Sequence, residues 1–106
     1  ADAPSGTAER IGSLLKEYRG YTETVHGRSG LSKRGKEELE ILSARVGGVP
    51  GIHDVIIAGQ HEMLRLEHTA FSRSAFAQGA LLAVRWLAEK KTPGVYNMGD
   101  VLFTPP

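Results

Sequence analysis

Apolar residues recur at spacings of three and four in two segments of the chain. Such spacing places side chains on one face of an α-helix. The first segment follows Ser5 and predicts a helix over residues 7–18, which Gly20 ends. The second follows Ser72, the expected N-cap, and predicts a longer helix over residues 74–90. Pro93 and Gly94 stop this helix, and the apolar tail 95–103 is expected to pack against the rest of the domain.

Runs rich in β-branched and apolar residues predict four strands. The connection between the last two is so short that they must pair as an antiparallel hairpin. The predicted strands are residues 21–25, 39–46, 53–59 and 62–71.

The predicted hairpin is apolar on both faces. Val55 and Ile57 point to one side of the sheet, and Ile56 and Ala58 point to the other. Each apolar face of such a sheet must pack against another layer, and the helices of the chain can pack on only one of the two faces. The sequence therefore predicts an α+β fold with a mixed open β-sheet, helices on one face and copies of the same chain on the other, in a homo-oligomer.

Composition excludes several classes of protein. With 106 residues, of which 41% are hydrophobic, the chain is expected to form one domain, 1–106. Its 13 basic and 12 acidic residues leave a net charge of +1, so we expect neither a nucleic acid nor an anionic membrane as a partner. No apolar run approaches the roughly 18 residues that span a bilayer. Without cysteine there is no disulfide and no thiolate nucleophile.

The four histidines do not have the short spacing of metal ligands on a helix or ribbon. We therefore expect no metal site, and a chelator should leave the thermal stability unchanged. The glycine-rich segment 47–51 is best explained as a turn between strands, not as a dinucleotide-binding loop. The histidines are His26, His53, His61 and His68.

Residues 26–36 are rich in glycine, serine and positive side chains, and predict a loop. One interpretation is a solvated surface excursion, because Lys and Arg are normally exposed. The other is a flap that faces an anion, such as a nucleic acid backbone. The positive residues are His26, Arg28, Lys33, Arg34 and Lys36.

The segment that opens the first helix could bind an anion. Helix N-termini present unpaired N–H groups, and Gly6 would let a carboxylate or phosphate approach the backbone. Thr7 adds a hydroxyl donor. The simpler explanation is capping, in which Ser5 or Thr7 satisfies the first-turn amides; such caps outnumber ligand sites.

Four segments resemble the bacterial dihydrodipicolinate reductases, also called 4-hydroxy-tetrahydrodipicolinate reductases, of the diaminopimelate route to lysine. The similarity runs in the same order over nearly the whole chain. The matching positions are Asp2 to Ala8; Arg45, Gly47, Gly51 and His53; His68, Ala70, Ser72, Arg73, Phe76, Ala77, Gly79 and Ala80; and Gly94, Tyr96, Met98, Val101 and Leu102.

The resemblance implies a substrate-binding and tetramerisation domain of a cytoplasmic, NADPH- or NADH-dependent oxidoreductase. In this family the cofactor passes a hydride to a cyclic unsaturated dicarboxylic acid, and the Gly-Thr of the signature binds a substrate carboxylate. This role is carried over to Gly6 and Thr7, with Ser5 in a supporting role. Arg73 and Phe76 correspond to a segment near the cleft between domains, and we interpret them as packing residues first.

The chain also departs from the family pattern. The family's catalytic His pair and proton-donating Lys lie upstream of the segment that begins at Asp2, and the amino-terminal Rossmann cofactor domain has no counterpart in the 106 residues. We therefore assign no catalytic, cofactor-binding or metal residue and expect the chain to be catalytically silent alone. The alternative is a homo-oligomerisation module with no ligand site of its own.

Overall fold

A computed structural model of the chain describes residues 3–106, so Asp2 of the signature lies outside the described residues. Contacts divide the chain into two compact units, Ala1–Gly47 and Gly48–Pro106. The predicted α+β class is confirmed. The elements are α1 (Gly6–Arg19), β1 (Glu23–Val25), β2 (Glu38–Glu40), β3 (Gly51–Ala58), β4 (Met63–Ala70), α2 (Ser74–Glu89) and α3 (Met98–Phe103).

Helix α1 of the first unit has a defined cap at each end. Ser5 is the N-cap, and its side chain accepts a hydrogen bond from the Ala8 amide. Gly20 ends the helix with φ 72°, a left-handed conformation in which glycine has no Cβ to strain. The predicted helix 7–18 is thus confirmed to within one residue at each end.

Strands β1 and β2 of the first unit pair in parallel, with Thr24 opposite Leu39. The predicted strand 39–46 is much shorter than expected, since only Glu38–Glu40 is a strand. Pairing ends where the Ile41 amide donates to the Val25 carbonyl oxygen at 2.8 Å, because β1 itself stops at Val25. A strand without a neighbour has no partner for its backbone groups, so the apolar pattern beyond Ile41 does not continue the sheet.

Strands β3 and β4 of the second unit form the predicted antiparallel hairpin. The register pairs His53 with His68, Val55 with Leu66 and Ile57 with Leu64. The turn is closed by a hydrogen bond of 2.8 Å from the Gly59 amide to the Glu62 carbonyl oxygen. Among the described residues, the four strands thus form one parallel and one antiparallel two-stranded sheet.

Alternation along β3 and β4 gives the hairpin two faces. We call them the His53 face and the Asp54 face. On β3, the side chains of the His53 face are half-buried, whereas those of the Asp54 face are exposed. The His53 face carries Gly51, His53, Val55, Ile57, Leu64, Leu66, His68 and Ala70; the Asp54 face carries Ile52, Asp54, Ile56, Ala58, Met63, Arg65, Glu67 and Thr69.

Helix α2 begins at the predicted residue but with a different cap. The N-cap is Arg73, without a side-chain hydrogen bond, whereas Ser72 was expected there. Arg73 already has right-handed helical angles, φ −68° and ψ −10°, so Ser72 lies one residue before the N-cap. The Ser72 hydroxyl nevertheless accepts a hydrogen bond from the Ser74 amide at 3.2 Å.

The apolar tail packs on α2, as expected, and part of it is the helix α3. Trp86 of α2 is 7% exposed and donates from Nε1 to the Thr104 carbonyl oxygen at 2.7 Å. Its ring meets that of Tyr96 edge to face, with centroids 5.1 Å apart. Lys90 lies over both rings, with Nζ 5.3 and 5.2 Å from their centroids. Trp86 therefore anchors the tail.

Candidate functional site

The N-terminus of α1 has a defined set of donors. Ser5 Oγ accepts from the Ala8 amide at 3.2 Å, and the Ser5 carbonyl oxygen accepts from the Glu9 amide at 2.9 Å. These bonds satisfy the third amide of the helix and begin its regular ladder. Within residues 3–106, the amides of Gly6 and Thr7 donate to no acceptor. The cap therefore leaves two adjacent N–H groups available at the positive end of the helix.

Both residues predicted to bind a carboxylate are accessible. Gly6 and Thr7 are exposed. A Cβ placed on Gly6 would have no atom within 4 Å, so the protein itself does not require glycine at this position. Because Cα–Cβ bonds in a helix tilt toward its N-terminus, a methyl group there would project toward the space above the two amides. Packing within the described residues thus does not require glycine at position 6.

A groove of about 340 Å³ runs along the same helix beside the parallel strands. Gly6, Glu9, Ser13 and Lys16 follow each other at spacings of three and four, so the groove lies on the helix face that includes Gly6. Gly6 and Thr7 themselves are not among its lining residues. The lining consists of Pro4, Glu9, Gly12, Ser13, Lys16, Thr24, His26 and Ile41.

The basic loop is held in place by Glu38, the first residue of β2. The Glu38 carboxylate accepts from Arg28 Nη2 at 2.6 Å and from the Gly35 amide at 2.7 Å. These two hydrogen bonds lower the pKa of Glu38, and the bond from the Arg28 guanidinium has the larger effect. The same hydrogen bond raises the pKa of Arg28. Arg28 is therefore engaged in fixing the loop. The other cations of the loop, Lys33, Arg34 and Lys36, are exposed.

The structure also places the residues considered as metal ligands or cleft residues. His26 Nδ1 lies 3.3 Å from the Ile41 carbonyl oxygen, and His61 lies exposed in the hairpin turn. Phe76 packs at the start of α2, where its Cζ lies 3.9 Å from the Cβ position that Gly51 lacks. Across the described residues, no cluster of three or more His, Cys, Asp or Glu side chains is placed to hold a metal ion.

A family model described as "Dihydrodipicolinate reductase, C-terminus" matches residues 1–102. The chain belongs to the dihydrodipicolinate reductase family. This confirms the resemblance found in the four sequence segments. Among residues 3–106, none of the helices combines the length and apolar character that a membrane crossing requires.

Relatives of the dihydrodipicolinate reductase family resemble this chain over nearly its whole length. Proteins named 4-hydroxy-tetrahydrodipicolinate reductase are 48% identical over 103 residues in Methanocaldococcus jannaschii and 46% identical over 101 residues in Methanosarcina barkeri. One from Clostridium botulinum is 45% identical over 102 residues. Each alignment covers 95% of this chain but only 37%, 38% and 40% of the respective relative. The chain thus spans about two fifths of the length of these relatives.

Proposed function

We propose that this chain is the carboxyl-terminal, substrate-binding domain of an NAD(P)H-dependent 4-hydroxy-tetrahydrodipicolinate reductase, a cytoplasmic enzyme of the diaminopimelate route to lysine. Gly6 and Thr7 bind one carboxylate of the cyclic dicarboxylic substrate. The observation that carries this proposal is the capped start of α1, where two neighbouring amides without an acceptor lie beside a threonine hydroxyl.

The chain's part in the reaction is to hold and orient the substrate. A carboxylate has two oxygens that accept several hydrogen bonds, and the Gly6 and Thr7 amides supply two donors at a fixed spacing. The Thr7 hydroxyl supplies a third. The positive end of the α1 dipole adds electrostatic attraction for the negative charge. A carboxylate fixed in this way positions the attached ring for a reaction at another atom.

NADPH or NADH supplies the hydride in the complete enzyme. The residues described here are not assigned to cofactor binding, because the family model that matches them covers the C-terminal part. Hydride transfer requires the nicotinamide to be held against the substrate. The 106 residues alone are therefore expected to bind substrate without reducing it.

The chain also forms the homotetramer in this proposal, through the Asp54 face of the hairpin. Its apolar side chains are open to solvent: Ile52 is 55%, Ile56 58% and Met63 63% exposed. On the opposite face the β3 side chains are half-buried, and Cζ of Phe76 in α2 lies 3.9 Å from the Cβ position that Gly51 lacks. A second copy of the same hairpin offers both the apolar surface and the self-complementary charges of the Asp54–Arg65 pair that would cover this face.

Titration calorimetry with pyridine-2,6-dicarboxylate, a planar dicarboxylate, tests the carboxylate site. Thr7→Val keeps the β-branched shape and removes the hydroxyl donor, and Gly6→Ala adds a methyl group above the amides. We expect each variant to weaken binding about tenfold to a hundredfold, the effect of losing or displacing one hydrogen bond to a charged group.

Ser13→Ala is the matched control. Ser13 lies on the same helix, and its hydroxyl donates to the Glu9 carbonyl oxygen at 3.0 Å, away from the Gly6 and Thr7 amides. This variant should bind the dicarboxylate as the wild type does. Unchanged affinity in both Thr7→Val and Gly6→Ala would contradict the assignment and favour an oligomerisation module without a ligand site.

A further inference from the structure

Two histidines far apart in the sequence are direct neighbours in the hairpin. His53 of β3 and His68 of β4 are paired across the antiparallel ladder, so both side chains project from the His53 face. The Cβ atoms of residues paired in this way are about 4.5–5.5 Å apart. The fourteen residues between them in the chain, 54–67, belong to the hairpin, so the spacing along the sequence on which the expectation of no metal site rests does not reveal the pair.

The side chains that share a face with His53 and His68 favour a ligand that binds to imidazole. The remaining positions of the His53 face hold glycine, alanine, valine, leucine and isoleucine, so no side chain of this face carries a charge. The charged side chains of β3 and β4 lie on the Asp54 face, where Arg65 is paired with Asp54 at 2.8 Å and with Glu67 at 3.4 Å. No carboxylate of the two strands therefore projects from the same face as the imidazoles.

The two rings differ in exposure. His68 is exposed and His53 is half-buried. The His53 ring leans over Gly51, with Cε1 3.6 Å from the Cβ position that this glycine lacks. Each imidazole carries two nitrogens, of which a metal ion needs only one.

We propose that His53 and His68 together chelate a divalent transition-metal ion of the kind that prefers imidazole, such as Ni²⁺, Cu²⁺ or Zn²⁺. One nitrogen of each ring coordinates the ion, and water occupies the remaining positions. The two rings act as a chelate because binding of the first raises the effective concentration of the second. This site lies outside the carboxylate-binding segment and does not depend on it.

The first test needs no substitution. NiCl₂ is titrated into the 106-residue protein at pH 7.5 while the ring proton signals of all four histidines are followed by NMR. The paramagnetic ion should broaden His53 and His68 together, at metal concentrations that leave His26 and His61 sharp. Parallel broadening of all four signals would indicate an adventitious ion only and would overturn the proposal.

The second test compares two variants of exposed histidines by Ni²⁺ calorimetry. His68→Gln removes half of the chelate and should lower the apparent Ni²⁺ affinity at least tenfold. His61→Gln, in the hairpin turn, is the matched control and should leave it unchanged. Equal affinities for the two variants would contradict the site.

Discussion

Gly12 determines how closely α1 approaches β2. It is the buried residue of the helix, and a Cβ at this position would lie 2.9 Å from Cδ1 of Ile41 and 3.5 Å from Cδ2 of Leu39. Because Gly12 has no side chain, the helix can pack directly against Leu39 of β2 and Ile41, which follows β2. Gly12 and Ile41 also line the groove beside the helix.

Two substitutions at Gly12 should differ in their effect on the free energy of unfolding. Gly12→Ala gains about 1 kcal/mol of helix propensity, which offsets a small movement of the terminal Ile41 methyl group. Gly12→Val adds bulk that this movement cannot accommodate, and should destabilise the protein by about 1–3 kcal/mol. Urea unfolding of both variants measures the difference. Equal stability of the two would show that α1 does not pack closely at this position.

The ion pair at Glu38 should make the basic loop sensitive to acid. The pKa of Glu38 is lowered in the folded state, mainly by the hydrogen bond from Arg28. A lowered pKa stabilises the folded state above the unfolded pKa of about 4.3, and this stabilisation is lost as the pH falls through the folded value. Amide exchange at Gly35, which donates to Glu38, should therefore accelerate as the pH falls below this range, beyond the intrinsic effect of pH.

Glu38→Gln provides the comparison for that measurement. The amide side chain can still accept from Gly35 but does not titrate, so Gly35 exchange should be faster at neutral pH and show little further change in acid. If the wild type and this variant respond equally to acid, Glu38 does not hold the loop. The interpretation of the loop as an excursion of solvated cations missed this role of Arg28, because a pairing ten residues apart depends on the folded path of the loop.

At the level of elements, local signals predicted the long helices and the hairpin well. Ser5 and Gly20 mark the ends of α1, and the short connection between β3 and β4 leaves only antiparallel pairing. The length of β2 could not be predicted in this way, because it depends on where β1 stops. The cross-strand neighbours His53 and His68 likewise follow from register and not from spacing.

The sequence before α3 contains a helix-capping motif, which a prediction from apolar spacing does not consider. Asn97 and Asp100 are three residues apart and form a capping box, with hydrogen bonds of 3.1 Å from the Asp100 amide and 2.8 Å from the Asn97 amide. In a helix of six residues, the cap accounts for a large part of the local hydrogen bonding. The tail was expected to pack, but this motif also predicts its conformation.

Asn97→Ala should therefore loosen the tail. Loss of an N-cap side chain costs about 0.5–2 kcal/mol. We expect faster amide exchange across Met98–Phe103 and a change in the fluorescence of Trp86, whose indole donates to Thr104 just after α3. Asn97→Asp, which keeps the accepting side chain, should behave nearly as the wild type. An Asn97→Ala protein with unchanged exchange in α3 would contradict the importance of the cap.

For the whole molecule, the sequence argument for an oligomer depended on a sheet that is apolar on both faces. The structure supplies the two faces and shows large apolar side chains exposed on each, with Leu64 and Leu66 on the His53 face and Ile52 and Ile56 on the Asp54 face. The copies that would cover the Asp54 face cannot be derived from one chain, since their arrangement depends on symmetry between chains.

Ile56→Asp tests the proposed assembly surface. A carboxylate in the centre of an apolar contact between copies would be buried without a partner, so we expect the tetramer to dissociate. Sedimentation equilibrium of the wild type and variant measures this change. Leu31→Asp is the control, because Leu31 is fully exposed in the basic loop, and it should leave the assembly intact. A wild-type protein that is monomeric at micromolar concentration would contradict the proposed tetramer.

The most direct test of the central claim is a titration of ¹⁵N-labelled protein with pyridine-2,6-dicarboxylate, followed by backbone amide NMR. The Gly6 and Thr7 signals should move first and furthest, with saturation at one ligand per chain, because their amides are the donors left open by the Ser5 cap. Saturable shifts confined to other residues, or no shift at Gly6 and Thr7 at any ligand concentration, would contradict a carboxylate site at the start of α1.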